Sequence, residues 1–322
     1  MTVSSQNGFL VVHHLGREFE QLATPHLPAG VRLIRLAPEH AWWNVPDEAR
    51  ALVAGPPGLA GSGSPASPVP GWPRGLAWIQ TLSTGVDAYP HWMFDGPVVT
   101  CGRGLHAIPI AEFVLASMLA VEKRFPAVWV TEAARWHRPT LGSLHGKTLG
   151  LIGFGAIGAA IAERAIPFGM RVIAHRRSGE APSVPGVALG DLHRTVSEAD
   201  HLVLAVPLTP ATRDILGAEA LAEAKPGVHV VNIARGGVLD QDALLAALDD
   251  GRVGFASLDV TDPEPLPAGH RLYGHPSVNV SPHLSAGGSA NTQGFVSLFL
   301  DNLNRFLAGA DLIGRVLPDR GY

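Results

Sequence analysis

Three residues of this 322-residue chain have side chains that can act together on a carbonyl compound: Arg235, Glu264 and His283. A guanidinium is planar and cationic and matches the geometry of a carboxylate, so Arg235 could bind one. Imidazole is the side chain that most often transfers protons in enzymes, so His283 is the candidate acid or base. Glu264, if hydrogen-bonded to the other ring nitrogen, would fix the tautomer of His283. This set suits reduction of a 2-keto acid, which needs a cation, a proton donor and a hydride donor.

Each of these residues has a simpler interpretation when taken alone. Arg235 could be a surface charge, Glu264 could be solvated in its proline-rich loop, and His283 could belong to a turn after Pro282. All three, however, follow strands of one predicted parallel sheet, and ligands bind at the carboxyl ends of such strands. Together they predict a catalytic set.

A glycine-rich turn supplies the expected place for the hydride donor. It comprises Gly153, Gly155 and Gly158 with Ala156 and Ile157 between them, and it follows an apolar strand and opens a helix. The first glycine allows a tight turn, the second lets the backbone approach a pyrophosphate, and the third lets helix and strand pack closely. The alternative is a glycine-rich turn that holds nothing. The surrounding alternation favours a dinucleotide site.

The end of the next strand predicts the type of dinucleotide. About twenty residues after the glycines a dinucleotide fold normally carries Asp or Glu, which binds the ribose hydroxyls. This chain has Arg176, Arg177 and Ser178 there. Guanidinium groups would bind a 2′-phosphate that a carboxylate would repel. The sequence therefore favours NADP(H), with NAD(H) possible if the two arginines are only solvated charges of an arginine-rich chain.

The elements that position these residues alternate along the chain. After Lys147, six apolar segments read as strands, with helices between several of them, so we expect a parallel sheet with right-handed crossovers. The first hundred residues also alternate short strands with Pro/Gly-rich breaks. Helical spacing runs from Ile108 to about Trp136 and again from Ser289 to Ala308. The stretch Gly55 to Gly75 predicts a long loop.

Composition excludes several other classes of protein. Charged residues make up 16% of the chain and the net charge is −4, which gives no basic surface for nucleic acid or an anionic membrane. No apolar run reaches the length of a membrane span, and residues 1–16 lack the pattern of a secretory signal. Cys101 is the single cysteine, so no intramolecular disulfide can form and we expect no metal site. We expect a cytoplasmic location.

Further segments resemble the D-isomer-specific 2-hydroxyacid dehydrogenase family, most clearly between Arg103 and Ala286. The matching segments are Ser83–Asp87, Arg103–Phe113, Leu144–Gly153, Val206–Pro210, Asn232–Gly237, Leu258–Val260 and Ser281–His283. The resemblance implies an α/β fold of two Rossmann-like, doubly wound parallel-sheet domains with a cleft between them. Residues 1–103 with 284–322 would form the substrate domain, and residues 104–283 the dinucleotide-binding domain.

The resemblance also implies roles for individual residues. Arg235 matches the substrate anchor, Glu264 the partner of the histidine, and His283 the acid/base. Thr84 and Gly85 match a loop whose backbone amides hold the substrate carboxylate. The positions that match cofactor contacts, apart from the glycine turn and the arginines, are Val206, Pro207, Ala234, Asp259 and His283. The family further implies a homodimer formed through the cofactor domain, including the arm from Ile108 to Arg138.

Three other classes of protein remain to be weighed against a 2-keto acid reductase. Formate dehydrogenase relatives share the fold but usually have Gln where Glu264 stands. A nucleotide-sensing corepressor keeps the fold and acts by binding partners without appreciable turnover. An S-adenosylmethionine methyltransferase also uses a glycine-rich turn, but it has no use for the Arg/Glu/His set. The pocket for the substrate side chain stays unassigned, and Trp42 with Trp43 could either line it or pack in the core.

Overall fold

The structure is a computed structural model that describes residues 8–37, 41–55, 65–287 and 291–317. The described residues form two compact units. One unit contains the residues up to His106 together with those of the C-terminal segment, and the other is Ala107–Gly287. Both are built around parallel sheets, so the predicted α/β fold class is confirmed.

The first unit has a five-stranded parallel sheet in the order β2-β1-β3-β4-β5. Its elements are β1 (Phe9–His13), α1 (Arg17–Ala23), β2 (Val31–Arg35), β3 (Ala49–Ala54), β4 (Trp78–Thr81), β5 (Val98–Thr100) and α8 (Asn291–Leu307). Alternate residues of β1 point to opposite faces, and both faces are covered. Phe9 and Val11 pack with α1 and α8, while Leu10 and Val12 pack in a second core. This double burial explains why β1 is apolar at four consecutive positions, Phe9 to Val12, rather than alternating.

The second unit has a seven-stranded parallel sheet in the order β12-β11-β10-β9-β6-β7-β8. Its strands are β6 (Thr148–Ile152), β7 (Arg171–His175), β8 (Val187–Leu189), β9 (His201–Leu204), β10 (Val228–Asn232), β11 (Val253–Leu258) and β12 (Val278–Val280). Its helices are α2 (Ala107–Glu122), α3 (Ala156–Ala165), α4 (Leu192–Ser197), α5 (Ala218–Glu223), α6 (Gln241–Asp249) and α7 (Arg271–Gly274). The strand order reverses between β6 and β9, which is where a doubly wound sheet binds its ligand.

Several predicted elements differ from the structure. The helix expected from Ile108 to about Trp136 ends at Glu122. Pro126 has no N–H and restricts Phe125 before it, so the chain cannot continue as a helix although its apolar spacing does. Residues 65–75 of the predicted long loop form bends and turns, whereas 56–64 lie outside the described residues. No helix in the part of the chain that the structure describes is long and apolar enough to cross a membrane.

Candidate active site

A histidine–carboxylate pair forms after two neighbouring strands of the larger sheet. Glu264 follows β11 and His283 follows β12, and His283 Nδ1 lies 3.0 Å from Glu264 Oε2. An ionised carboxylate only accepts hydrogen bonds, so Nδ1 donates in this pair. Nε2 is then the ring nitrogen that can exchange a proton with a substrate. The two side chains are 46% and 38% exposed, so the pair is open to solvent on one side.

The carboxylate of Glu264 is held at both oxygens. Glu264 Oε1 accepts a hydrogen bond of 3.1 Å from the backbone N–H of Thr261, while Oε2 faces the imidazole. The hydroxyl of Thr261 donates to the carbonyl oxygen of Pro263 at 2.9 Å, which closes the loop on itself. These contacts fix the orientation of the carboxylate toward His283.

Asp259 organises the loop that carries His283. This carboxylate is buried, with 1% of the residue exposed. Asp259 Oδ1 accepts from the Ser281 hydroxyl at 2.6 Å and from Leu284 N–H at 2.9 Å, and Oδ2 accepts from Ser285 N–H at 2.9 Å. His283 itself has a φ of +51°, a conformation that non-glycine residues rarely adopt. The loop wrapped around Asp259 holds the imidazole in this strained position.

Arg235 follows β10, the third strand of the same sheet edge. The turn before it is shaped by Asn232, whose buried amide accepts from Ala234 N–H at 3.1 Å and donates to the Arg235 carbonyl at 3.0 Å. Arg235 Nη1 donates to the Ala234 carbonyl at 2.8 Å, and Ala234 is itself buried. β10, β11 and β12 are adjacent and parallel, so Arg235, Glu264 and His283 all lie at one edge of the sheet.

Gly236 brings the loops after β10 and β11 into backbone contact. A Cβ atom at this position would lie 2.0 Å from the carbonyl carbon of Thr261, closer than any real contact. Only glycine allows the approach. The segment that carries Arg235 therefore packs directly on the segment that carries Glu264.

The glycine-rich turn lies at the switch point of the sheet, after β6. Gly153 has a φ of +106°, and a Cβ there would lie 2.4 Å from the carbonyl oxygen of Ala205. A Cβ on Gly158 would lie 2.6 Å from the carbonyl oxygen of Gly153, whereas Gly155 faces open space. Ala156, the first residue of α3, is exposed and the next residue, Ile157, is partly buried. The first turn of α3 is thus accessible, and its unpaired N–H groups suit a phosphate.

The arginines after β7 differ in their surroundings. Arg176 Nη2 lies 3.2 Å from Glu180 Oε2, an exposed carboxylate four residues further on. Arg177 is exposed. The Ser178 hydroxyl is buried and has no hydrogen-bond partner among the described residues. The Ser178 hydroxyl therefore offers a hydrogen-bond donor beside two guanidinium groups, and the charge of Arg176 is partly offset by Glu180.

Val206 and Pro207 lie beside the glycine turn, after β9. Val206 Cγ1 would be 2.9 Å from a Cβ on Gly153, and the carbonyl oxygen of Pro207 accepts from the Thr212 hydroxyl at 2.6 Å. Pro207 is exposed and Val206 is partly buried. Both positions border the open end of α3 at the switch point, where a dinucleotide would lie.

Thr84 and Gly85 belong to the other unit, in the loop after β4. The Thr84 hydroxyl donates to the Gly102 carbonyl at 2.9 Å, and Gly102 N–H donates to the Ser83 carbonyl at 3.0 Å. Tyr89 adds a contact, because its hydroxyl donates to the Gly55 carbonyl at 2.9 Å. Burial raises the pKa of Tyr89, so the phenol stays a donor. The loop after β4 is therefore tied to its neighbours on both sides.

Trp42 belongs to the core rather than to an open pocket wall. It is 3% exposed and lies 5.4 Å from Trp43 and 5.7 Å from Trp92, measured between ring centroids. Trp43 is partly buried. Of the two arrangements considered from the sequence, the structure shows the packed one.

Sequence reasoning assigned no role to Asn232, Gly236, Gln241 or Ser281, although each shapes a loop of this site. Glycine after a strand end is a recognisable sign of close approach, so Gly236 could have been found. Gln241 and Ser281 act through hydrogen bonds to distant segments, and Asn232 acts through hydrogen bonds within its own turn; none of these leaves a periodic pattern. No group of three or more His, Cys, Asp or Glu side chains that could hold a metal ion occurs within residues 8–37, 41–55, 65–287 and 291–317.

Comparison with known proteins identifies the family. The family described as D-isomer specific 2-hydroxyacid dehydrogenase, NAD binding domain, matches residues 115–285, just over half of the chain. The chain belongs to this family. Its members are oxidoreductases that act on small 2-hydroxy acids, and the resemblance drawn from the sequence is confirmed.

Individual relatives differ in the length that they share with this chain. Glyoxylate reductase of Thermofilum pendens is 32% identical over 246 residues, which cover 73% of each protein. D-3-phosphoglycerate dehydrogenase 2, chloroplastic, of Arabidopsis thaliana is 44% identical over 159 residues, which cover 48% of this chain and 26% of the plant protein. The match thus spans only about a quarter of the plant protein.

A solved structure matches over nearly the full length. The D-isomer specific 2-hydroxyacid dehydrogenase of Xanthobacter autotrophicus Py2, in complex with NADPH and MES, superposes with a TM-score of 0.82 at 28% identity. The match covers 98% of this chain and 100% of the solved one.

Proposed function

We propose that this protein reduces a small 2-keto acid, such as glyoxylate or hydroxypyruvate, to the D-2-hydroxy acid, and catalyses the reverse oxidation. The observation that carries the proposal is the Glu264–His283 pair, 3.0 Å apart at the strand edge that also carries Arg235. The residues around the glycine turn fit a dinucleotide, because Gly153 and Gly158 make the close approaches and the first turn of α3 is open. A bound nicotinamide cofactor supplies the hydride.

The residues of the chain then have distinct tasks. Arg235 binds the substrate carboxylate, together with the backbone amides of Thr84 and Gly85. His283 Nε2 gives a proton to the carbonyl oxygen as reduction proceeds and takes it back in the oxidation. Glu264 holds Nδ1–H and stabilises the charged ring. Residues 1–103 with 284–322 serve the substrate, and residues 104–283 serve the cofactor.

We propose NADP(H) as the favoured cofactor, with NAD(H) accepted less well. Support comes from Arg177 and from the buried Ser178 hydroxyl, which lacks a partner in the described ranges and could bind a 2′-phosphate. The Xanthobacter relative was solved with NADPH. The ion pair with Glu180 offsets part of the charge of Arg176, so the proposal rests mainly on the Ser178 hydroxyl beside these two arginines. Val206, Pro207, Ala234, Asp259 and His283 complete the cofactor contacts.

We also propose a homodimer formed through the arm that runs from Ile108 to Arg138. Ile108, Trp129 and Trp136 of this arm are 54%, 65% and 74% exposed, and a partner would cover such large apolar side chains. Sedimentation of the wild type and of Trp129→Glu should give a dimer and a weakened dimer, respectively. Monomeric wild type would contradict the proposal. A cytoplasmic location remains our proposal from the single cysteine, Cys101.

The test of the reaction follows the oxidation of NADPH and NADH in parallel with a panel of small 2-keto acids. We expect turnover with at least one 2-keto acid and faster turnover with NADPH. Preference for NADH would retain the reductase and reduce Arg177 to a surface charge. Cofactor binding without oxidation by any 2-keto acid would refute the reductase and move the assignment to a nucleotide-sensing protein.

Two variants test the roles of the side chains. His283→Ala should lower kcat by about 10²–10⁴-fold, the usual contribution of a positioned acid or base. Arg235→Ala should remove most substrate binding. His193→Ala and Arg271→Ala are matched controls on exposed residues of the same unit and should leave the kinetics unchanged. Wild-type rates in either site variant would contradict the assigned role.

A further inference from the structure

The loop that carries Arg235 and the loop that carries Glu264 must keep a fixed relation for the proposed reaction. Carboxylate and carbonyl carbons are bonded neighbours in a 2-keto acid, so the anchor and the acid must address adjacent atoms. A misplacement of about 1 Å can cost about 10²-fold in rate. What holds the two loops together is therefore a question about catalysis as well as stability.

Gln241 joins the two loops through a pair of hydrogen bonds. It is the first residue of α6, which follows the Arg235 loop along the chain. Gln241 Nε2 donates to the backbone carbonyl of Asp262 at 2.5 Å, and Gln241 Oε1 accepts from the backbone N–H of Asp262 at 3.1 Å. Both bonds go to the main chain of one residue, so the side-chain amide fixes the position and the orientation of that peptide segment.

The two hydrogen bonds between Gln241 and Asp262, here called the clamp, are connected to His283 through Thr261 and Glu264. Thr261, the residue before Asp262, donates its N–H to Glu264 Oε1, and Glu264 Oε2 lies 3.0 Å from His283 Nδ1. A shift of residues 261–262 would therefore turn the Glu264 carboxylate and release the imidazole. Each residue from Gln241 to His283 in this series is bonded to the next, either covalently or by a hydrogen bond.

The start of α6, which carries Gln241, is also held in place. The Asp240 carboxylate caps α6 by accepting from the N–H groups of Asp242 and Ala243, both at 3.0 Å. A short 3-10 helix, Gly236–Val238, connects this cap to Arg235. Gln241 is thus attached to the segment that carries the anchor.

Other contacts of the Glu264 loop, one to Arg213 after β9 and one to Gly236, are weaker in direction or in strength. Arg213 Nη1 lies 3.7 Å from Asp262 Oδ2, and both side chains are 55% exposed, which makes a screened surface pair. Gly236 gives close backbone packing but no directional bond to Thr261. The double hydrogen bond of Gln241 supplies the direction that these contacts lack.

We propose that Gln241 is a positioning residue that holds Asp262, and through it the Glu264–His283 pair, in register with Arg235. The inference rests on the proposed function, because it assigns Gln241 to the alignment of that same site. Gln241 touches neither substrate nor cofactor in this assignment and acts only through the loop.

The test compares Gln241→Met with Asp242→Ala. Methionine keeps the length and helix propensity of glutamine but makes neither hydrogen bond. Asp242 is the exposed next residue on the same helix, and its replacement leaves the clamp in place. We expect Gln241→Met to lower kcat by about 10–100-fold. The KM for the cofactor and the urea midpoint should change no more than in the control.

A spectroscopic readout does not depend on turnover. Nitrogen-15 NMR of histidine-labelled protein, assigned by comparison with His283→Ala, reports which ring nitrogen of His283 carries hydrogen. We expect Nδ1–H in the wild type and in Asp242→Ala, and exchange between tautomers in Gln241→Met.

The two readouts separate the possible failures. Unchanged His283 signals in Gln241→Met would overturn the positioning role, whether or not kcat falls. A changed tautomer in a protein whose wild type reduces no 2-keto acid would sink the proposed function and retain the role of Gln241. A changed tautomer with unchanged kcat would show that Gln241 does not serve the reaction, and would also overturn the proposal.

Discussion

Acid should destabilise the larger unit through His201, a buried histidine at the start of β9. His201 is 1% exposed, its Nδ1 lies 3.0 Å from His229 Nδ1, and its Nε2 lies 3.1 Å from Glu122 Oε1. Burial lowers the pKa of His201 from 6.5 to about 4, an effect that Glu122 opposes and Lys147 reinforces. Burial likewise holds the pKa of His229 well below its ordinary value.

The sign and size of the effect follow from linkage. Because the folded pKa of His201 is depressed, the unfolded chain binds more protons between pH 6.5 and about 4, so stability falls as the pH falls through this window. For one group with these two pKa values the loss between pH 6.5 and about pH 4.5 is about 2 kcal/mol. His13 in the other unit adds a separate loss, since burial lowers its pKa to about 4 as well.

The assay is urea unfolding followed by circular dichroism across this pH range. His201→Gln keeps a polar side chain that cannot ionise, so its unfolding free energy should fall by about 2 kcal/mol less than that of the wild type as the pH is lowered. His193→Gln is the control, because His193 is exposed and its hydrogen bond to the Glu223 carboxylate raises its pKa, which gives the opposite sign. The same pH dependence in His201→Gln and the wild type would refute the reasoning.

Two further predictions concern packing. Gly236→Ala should lower the free energy of unfolding by about 1–3 kcal/mol and lower turnover, because its methyl group would meet the Thr261 backbone at 2.0 Å. Urea unfolding at neutral pH and a kcat measurement check this prediction. Wild-type stability and turnover in the variant would contradict the close approach. Asn302→Ala should lower the free energy of unfolding by about 2–3 kcal/mol. The buried amide of Asn302 donates to Gln80 Oε1 and to the Ile313 carbonyl, and it accepts from the Ile313 N–H. The exposed Asn304→Ala on the same helix should change the unfolding free energy by less than half as much.

The sequence predicted the sheets well because their strands are buried on both faces. Runs such as Val228–Asn232 and Phe9–His13 are fully buried, which selects apolar residues at most of their positions and makes the strands visible without structural data. The edge that carries Arg235, Glu264 and His283 followed from the same reasoning, since parallel strands end on one side of the sheet.

Short elements and tertiary contacts were less visible. The helices α1 and α4 and the strand β8 were not anticipated, because seven, six and three residues are too few to display a period. Apolar spacing beyond Glu122 suggested more helix, whereas those side chains belong to an exposed arm. Glu180, which pairs with Arg176, and Gln241, which clamps Asp262, act through contacts that depend on the folded chain.

The measurement that tests the central claim most directly is the configuration of the product. A 2-keto acid whose hydroxy product is chiral, such as hydroxypyruvate, is reduced to completion with NADPH, and the enantiomers are separated. We expect one D-2-hydroxy acid molecule for each NADPH oxidised, and loss of this product in His283→Ala. An L-product, a racemic product, or full activity without His283 would contradict it.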